Sequence, residues 1–246
     1  ALFWLSNQKR FVTFDLETTS LKPYVNGGTI RCIGFSNGSE AIVVENDHEE
    51  FHRLMENFLN VNIKSCAYNH IFDLKWLEAE YGRGPKSLVY DPMLMYFLLD
   101  ENSPLDLETV AFRVMGTRPW KLTHDLKEGE TWASVPFERL AQHCGEDAYY
   151  THRLAEKLIE TFTEKSENQA QNESNRKLIG FYSGILLKTA QMCAIYERQG
   201  LFIDKAYAWE LQSSFEAANF TLKGQINDMD LVKKLVKYQK KPLNLN

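Results

Sequence analysis

The octapeptide FDLETTSL, Phe14–Leu21, extends a short apolar and β-branched run that begins at Phe11. Strand residues alternate between the two faces of a sheet, so Asp15 and Glu17 point the same way. Like carboxylates side by side repel unless a cation sits between them. An isolated Asp-x-Glu is also common on solvated surfaces, and this segment alone leaves both readings open. Working outward, Thr29–Ser36 and Glu40–Glu45 are β-rich runs flanking Asn37-Gly38, a hairpin signal. Asp47 and Glu50 have the spacing of a capping box for a helix reaching about Leu59. Ile63–Tyr68 reads as another strand, followed by a helix with Ile71, Leu74 and Leu77 on one face. Leu88–Tyr90 is a further strand. Pro92 and Pro136 suit the first turns of two later helices, the second running to about Phe162. This order predicts an α/β domain whose mixed sheet contains an antiparallel hairpin.

The bulk numbers fit such a domain. The 246 residues are 44% hydrophobic and 25% charged, enough to bury a core without staples. The four cysteines, Cys32, Cys66, Cys144 and Cys193, include no CxxC pair. That argues against a disulfide framework or a zinc site and fits a reducing, cytoplasmic setting. No uninterrupted apolar run reaches the roughly 18–20 residues of a membrane span, so no membrane is expected. A formal net charge of -5 is unusual for a nucleic-acid binder, which needs a basic face, but clustered catalytic carboxylates would pull the sum down.

Beyond Phe162 the composition changes. Thr163–Lys177, TEKSENQAQNESNRK, lacks large apolar residues and reads as a linker or a solvated helix. A second apolar stripe, Leu178 to Tyr196, ends at Arg198-Gln199-Gly200, and Asp204 can cap another helix near Lys205. Lys233, Lys234, Lys237, Lys240 and Lys241 form a solvated face or a phosphate contact.

Two further motifs carry chemistry. Asn69-His70-Ile71-Phe72-Asp73 lies at a strand-to-helix junction. Taken alone, Asn69 is a cap, Asp73 an ordinary first-turn acid and His70 a surface or satisfied histidine. His143-Cys144-Gly145-Glu146-Asp147 lies inside an amphipathic helix with His143 and Asp147 on one face, which is also the spacing of a plain i,i+4 pair. Gly145 costs the helix about 1 kcal/mol relative to alanine and can mark the close approach of another element.

In combination, D-L-E, N-H-I-F-D and H-C-G-E-D resemble the three motifs of the DEDD 3′→5′ proofreading exonucleases of family A DNA polymerases, the Klenow type. The similarity covers about residues 8–162. The stretch 184–204, GILLKTAQMCAIYERQGLFID, is similar to the opening of the polymerase thumb. The resemblance implies a ribonuclease H-like sheet flanked by helices and a mainly helical thumb-like segment. The expected division is an exonuclease domain at 1–162, a polar linker at 163–177 and a truncated thumb at 178–246. It also implies two Mg2+ or Mn2+ ions per site, held by Asp15, Glu17, Asp73 and Asp147; an all-oxygen donor set suits these ions better than zinc. The expected substrate is a single-stranded or frayed 3′ end of DNA, and the remainder of a polymerase is the expected partner. Polymerase motifs are absent.

One position departs from the family pattern: His143 stands where a tyrosine orients the attacking water. It can be a general base, merely orient the water, or mark a weakened site. Leu21 matches a residue that wedges against the terminal base, or is a core leucine ending the strand. Asn69 and Phe72 match residues near the terminal nucleotide. Trp132 corresponds to an aromatic that stacks on a base, or is a core tryptophan. The competing functions are a catalytically dead platform that binds DNA and a stand-alone DEDD exonuclease acting on RNA.

Overall fold

The computed structural model describes residues 1–24, 27–120, 131–164 and 167–239. The chain divides into two units, Ala1–Gln199 and Gly200–Asn246.

In the first unit, β1 (Phe11–Thr18), β2 (Ile30–Ser36), β3 (Ala41–Glu45), β4 (Lys64–Cys66) and β5 (Leu88–Tyr90) form one sheet in the order β3-β2-β1-β4-β5. β1 to β3 run antiparallel, whereas β4 and β5 pair parallel to β1 and to each other. The β2–β3 hairpin turns at Asn37-Gly38. Gly38 takes φ +82°, and the Asn37 side-chain oxygen accepts from the amides of Ser39 and Glu40.

The alternation of β1 sorts its side chains between two layers. Phe14 and Leu16 are buried with Phe35, Phe58, Leu74, Trp76 and Leu77, beneath α2 (Phe51–Asn60) and α3 (Ile71–Tyr81). Phe58 meets Phe14 and Phe35 edge-on, with centroids 5.1 and 4.9 Å away. The opposite face, carrying Asp15 and Glu17, looks toward α6 (Phe137–Thr163). Gly34, the register partner of Asp15 on β2, lets α6 come close. A Cβ there would lie 2.8 Å from Cys144 Sγ and 2.9 Å from its carbonyl oxygen. Gly145, the glycine expected to mark close approach, faces Val43 and Ala41 at ordinary contact distance instead.

Several boundaries differ from the sequence expectation. Asp47 and Glu50 form no capping box. The helix starts at Phe51 without a side-chain cap, and Glu50 pairs with Arg53. Pro136 is the residue before α6 rather than within its first turn. Pro92 does open α4 (Pro92–Phe97), where Asp91 accepts from Met93 N and Leu94 N. A further helix, α5 (Leu107–Met115), is capped by Asp106.

The polar stretch 163–177 mostly opens a helix, α7 (Gln169–Phe181), rather than forming a linker. It passes through a π-helical stretch, Tyr182–Leu186, into α8 (Leu187–Gln199). Both helices belong to the first unit, so the division falls about two dozen residues later than the composition suggests. Lys75–Glu197 and Arg198–Glu78 ion pairs and a Gln191 bond to the Leu88 carbonyl fasten α8 to α3 and β5. By length and mean hydropathy (1.4), the continuous helix 169–199 would suffice to cross a membrane, which the search for an unbroken apolar run did not anticipate. Its Tyr182, Leu187, Ala190 and Ala194 are buried, while Ile185, Met192, Ile195 and Tyr196 are exposed.

In the second unit, Asp204 caps α9 (Lys205–Asp228) by accepting from Tyr207 N, and α9 buries none of its side chains. After Met229 comes α10 (Asp230–Gln239). Lys233 pairs with Asp228. Lys240 and Lys241, and the Lys237 side chain, lie outside the described residues.

Candidate active site

The three motifs converge on one cleft of about 570 Å³ above the C-terminal end of β1. Asp15, Glu17, Leu21, Asn69, Phe72, Asp73, Trp132, His143 and Asp147 all line it. The nine residues expected to be catalytic, metal-binding or substrate-binding therefore border the same opening.

β1 and α3 build one wall. Asp73, in the first turn of α3, is only 2% exposed and accepts a 3.1 Å hydrogen bond from Leu16 N, the residue between Asp15 and Glu17. This is more than an exposed helix-start acid: it stitches α3 to the strand. Asn69 does not cap α3, whose N-cap is His70; it turns the chain with φ +53°, a conformation asparagine tolerates better than most residues. The turn is held from below by Asp91, which is fully buried. Its carboxylate accepts from Asn69 N at 3.1 Å, His70 N at 3.0 Å and the His70 ring at 2.6 Å, besides capping α4. Asp91 N in turn donates to the Tyr182 hydroxyl. His70 is thus buried and bonded on one side, not a surface group; its Nε2 has no partner among the described residues.

α6 builds the other wall. His143 Nε2 sits 3.7 Å from Glu17 Oε1 and 3.7 Å from Asp147 Oδ2, too far for direct hydrogen bonds and near the distance one shared water or ion would span. The ring stacks on Trp132, with centroids 5.4 Å apart, and its buried Nδ1 has no partner among the described residues. Arg31 pins the Trp132 segment to the sheet through the carbonyls of Trp132 and Val135, each at 2.8 Å. Trp132 is half-buried and packs against the cluster of Cys32, Val135, Leu140 and Cys144, whereas Leu21 is 78% exposed and is not a core residue.

The sequence reading missed Trp120. Its indole N–H donates to Asp147 Oδ1, its ring packs on Tyr150 with centroids 4.1 Å apart, and its amide donates to Glu108. Nothing in its local sequence marks it.

The electrostatics are those of crowded acids. Burial first, and then neighbouring carboxylates, raise Asp15 and Glu17 well above the usual carboxylate range. Burial does the same to Asp73, opposed by the Leu16 amide. Ligand atoms of Asp15, Glu17 and Cys144 fall within 4.8 Å of one another. Cys144 is a poor ligand, however, because burial pushes its thiol well up and its Sγ faces the Asp15 carbonyl at 3.5 Å. The donors suited to a hard cation are the carboxylate oxygens, and a divalent ion would relieve the repulsion that burial makes costly.

A family model described as 3′-5′ exonuclease matches residues 4–162. DNA polymerase I of Borreliella burgdorferi is 23% identical over 213 residues, 80% of this chain and 21% of that protein. The chain thus spans about a fifth of that relative's length. Among solved structures, the POL domain of Pol1 from M. smegmatis, in complex with DNA primer-template and dNTP, aligns over 100% of this chain and 37% of its own. It does so at a TM-score of 0.63 and 16% identity. Brucella melitensis NrnC with bound Mg2+ aligns over 80% of this chain and 90% of its own, at a TM-score of 0.57 and 17% identity. The two structures establish the ribonuclease H-like exonuclease fold that the sheet order and the cleft describe. With more than half its length matched by the family model, the chain belongs to the 3′-5′ exonuclease family of the family A DNA polymerases.

Proposed function

We propose that this chain removes 3′-terminal nucleotides from single-stranded or frayed DNA with two divalent ions, Mg2+ or Mn2+, as the proofreading part of a family A DNA polymerase in the cytoplasm. The observation that carries the reading is the convergence of four carboxylates and a histidine on one cleft, with three of the acids held above their ordinary range. When bound, two such ions would neutralise the scissile phosphate, activate a water and stabilise the departing 3′ oxygen. Asp15, Glu17, Asp73 and Asp147 would hold these ions through their carboxylate oxygens.

His143 has the role of holding the attacking water and taking its proton. Its Nε2 stands equally far from Glu17 and Asp147, and stacking on Trp132 fixes the ring plane. Leu21 is free to wedge against the terminal base, Trp132 offers a stacking surface, and Asn69 and Phe72 border the same opening. The segment 178–246 is read as similar to the opening of a polymerase thumb, its first part up to Gln199 packing within the first unit, with the remainder of a polymerase as partner.

Single-stranded DNA and RNA, each labelled at its 3′ or 5′ end, test this when incubated with Mg2+, Mn2+ or chelator. The expected result is metal-dependent shortening from the 3′ end, abolished in Asp15→Ala. Shortening of RNA alone would shift the reading to an RNA exonuclease. No shortening with either metal would leave a DNA-binding platform.

A further inference from the structure

Trp120 lies four residues beyond the Gly116 that ends α5, yet it touches a member of the acidic cluster directly. Three contacts fix it. Glu108 on α5 accepts from its amide at 2.7 Å; Tyr150, one turn beyond Asp147 on α6, packs against its ring; and its Nε1 lies 2.5 Å from Asp147 Oδ1. The other Asp147 oxygen, Oδ2, is the one 3.7 Å from His143 Nε2, on the same side as Glu17 Oε1.

We propose that Trp120 is a positioning residue for Asp147. Its indole N–H takes Oδ1 and thereby sets the carboxylate so that Oδ2 turns toward Glu17 and His143. The inference rests on the reading of Asp147 as a metal ligand. Indole suits the task because it donates and cannot accept, so it orients an oxygen without offering a competing ligand. A hydrogen bond to a carboxylate is about twice as strong as one between neutral groups. Partners that orient a ligating group typically govern metal affinity 10–100-fold. Asp147 rides on a 27-residue helix, whereas Asp15 and Glu17 sit on the strand. A third element that fixes the carboxylate rotamer matches the two walls to each other.

The test measures Mn2+ binding to the full chain by the loss of the free-ion EPR signal, comparing wild type, Trp120→Phe and Asp15→Ala. Phenylalanine keeps an aromatic ring, though a smaller one, against Tyr150 and removes the donor. The expected result is Mn2+ affinity lowered about 10-fold or more in Trp120→Phe, with its thermal midpoint near that of wild type, and binding lost in Asp15→Ala. Wild-type or tighter binding in Trp120→Phe, with binding lost in Asp15→Ala, overturns the role of Trp120 alone. Undiminished binding in Asp15→Ala overturns the metal reading itself. Should the phenylalanine variant fold poorly, the indole N–H resonance of Trp120 in 15N-labelled wild type gives an independent readout. Saturating Mg2+ should shift it while those of Trp4 and Trp209 stay still, and a Trp120 signal that Mg2+ leaves unmoved overturns the proposal.

Discussion

The two walls of the cleft are held by different means. On the β1–α3 side the acids are fixed through the main chain. Leu16 N binds Asp73, and buried Asp91 gathers the amides of Asn69 and His70 together with the His70 ring. On the α6 side the fixing is by side chains: Trp132 stacks on His143, and Trp120 bonds Asp147. A wall built from main-chain bonds cannot be altered without disturbing the fold, because each bond also satisfies a buried donor. A wall built from side chains can be tuned one residue at a time. His143 stands on the wall held mainly by side-chain contacts, and Asp15 and Glu17 on the wall whose buried acids gather main-chain amides.

If that contrast is right, His143→Ala should cut turnover by about 10²-fold or more, the usual contribution of a general base, while the thermal midpoint barely moves. An equal loss of stability would erase the distinction. Asp91→Ala should do the reverse. It strands several buried donors and should cost about 3 kcal/mol in denaturant unfolding. A variant as stable as wild type would mean that the β1–α3 wall stands without its buried acid.

The smallest effect concerns the acids themselves. A carboxyl raised above its unfolded value penalises the folded state when ionised, so stability falls as pH rises through the folded value. Asp15→Asn removes that penalty. In chelator at neutral pH its midpoint should rise by about 2–4 °C, roughly 1 kcal/mol for a chain of this size. The gain should shrink on acidification, as wild-type Asp15 takes up its proton, and saturating Mg2+ should reverse the order by stabilising wild type alone. A lower midpoint for Asp15→Asn in chelator would show that the pocket accommodates the charge without strain.

The sequence disclosed what depends on local periodicity. The alternation of FVTFDLET fixed which face Asp15 and Glu17 share, and the i,i+4 spacing fixed that of His143 and Asp147. It did not disclose contacts between distant segments. Trp120 reaches Asp147 across 27 residues, and the Pro92 signal announced a helix start but not that the preceding Asp91 also binds residues 69 and 70. Asp47 and Glu50 had the spacing of a capping box, yet Glu50 turned to Arg53. The polar run 163–177 reads alike as linker or exposed helix, since a helix that packs only later along its length carries no apolar stripe at its start.

Gly34 acts as a shim of zero thickness. The contact between β2 and Cys144 lies three residues before Asp147, about 4.5 Å along the helix axis. Any displacement of α6 there is passed almost undiminished to the carboxylate. A methyl group at position 34 would work as a wedge, opening the jaws between strand and helix by a fraction of an ångström. Catalytic constellations tolerate only about 0.5 Å of such play. The gauge of this nuclease is therefore set by the side chain that β2 does not have.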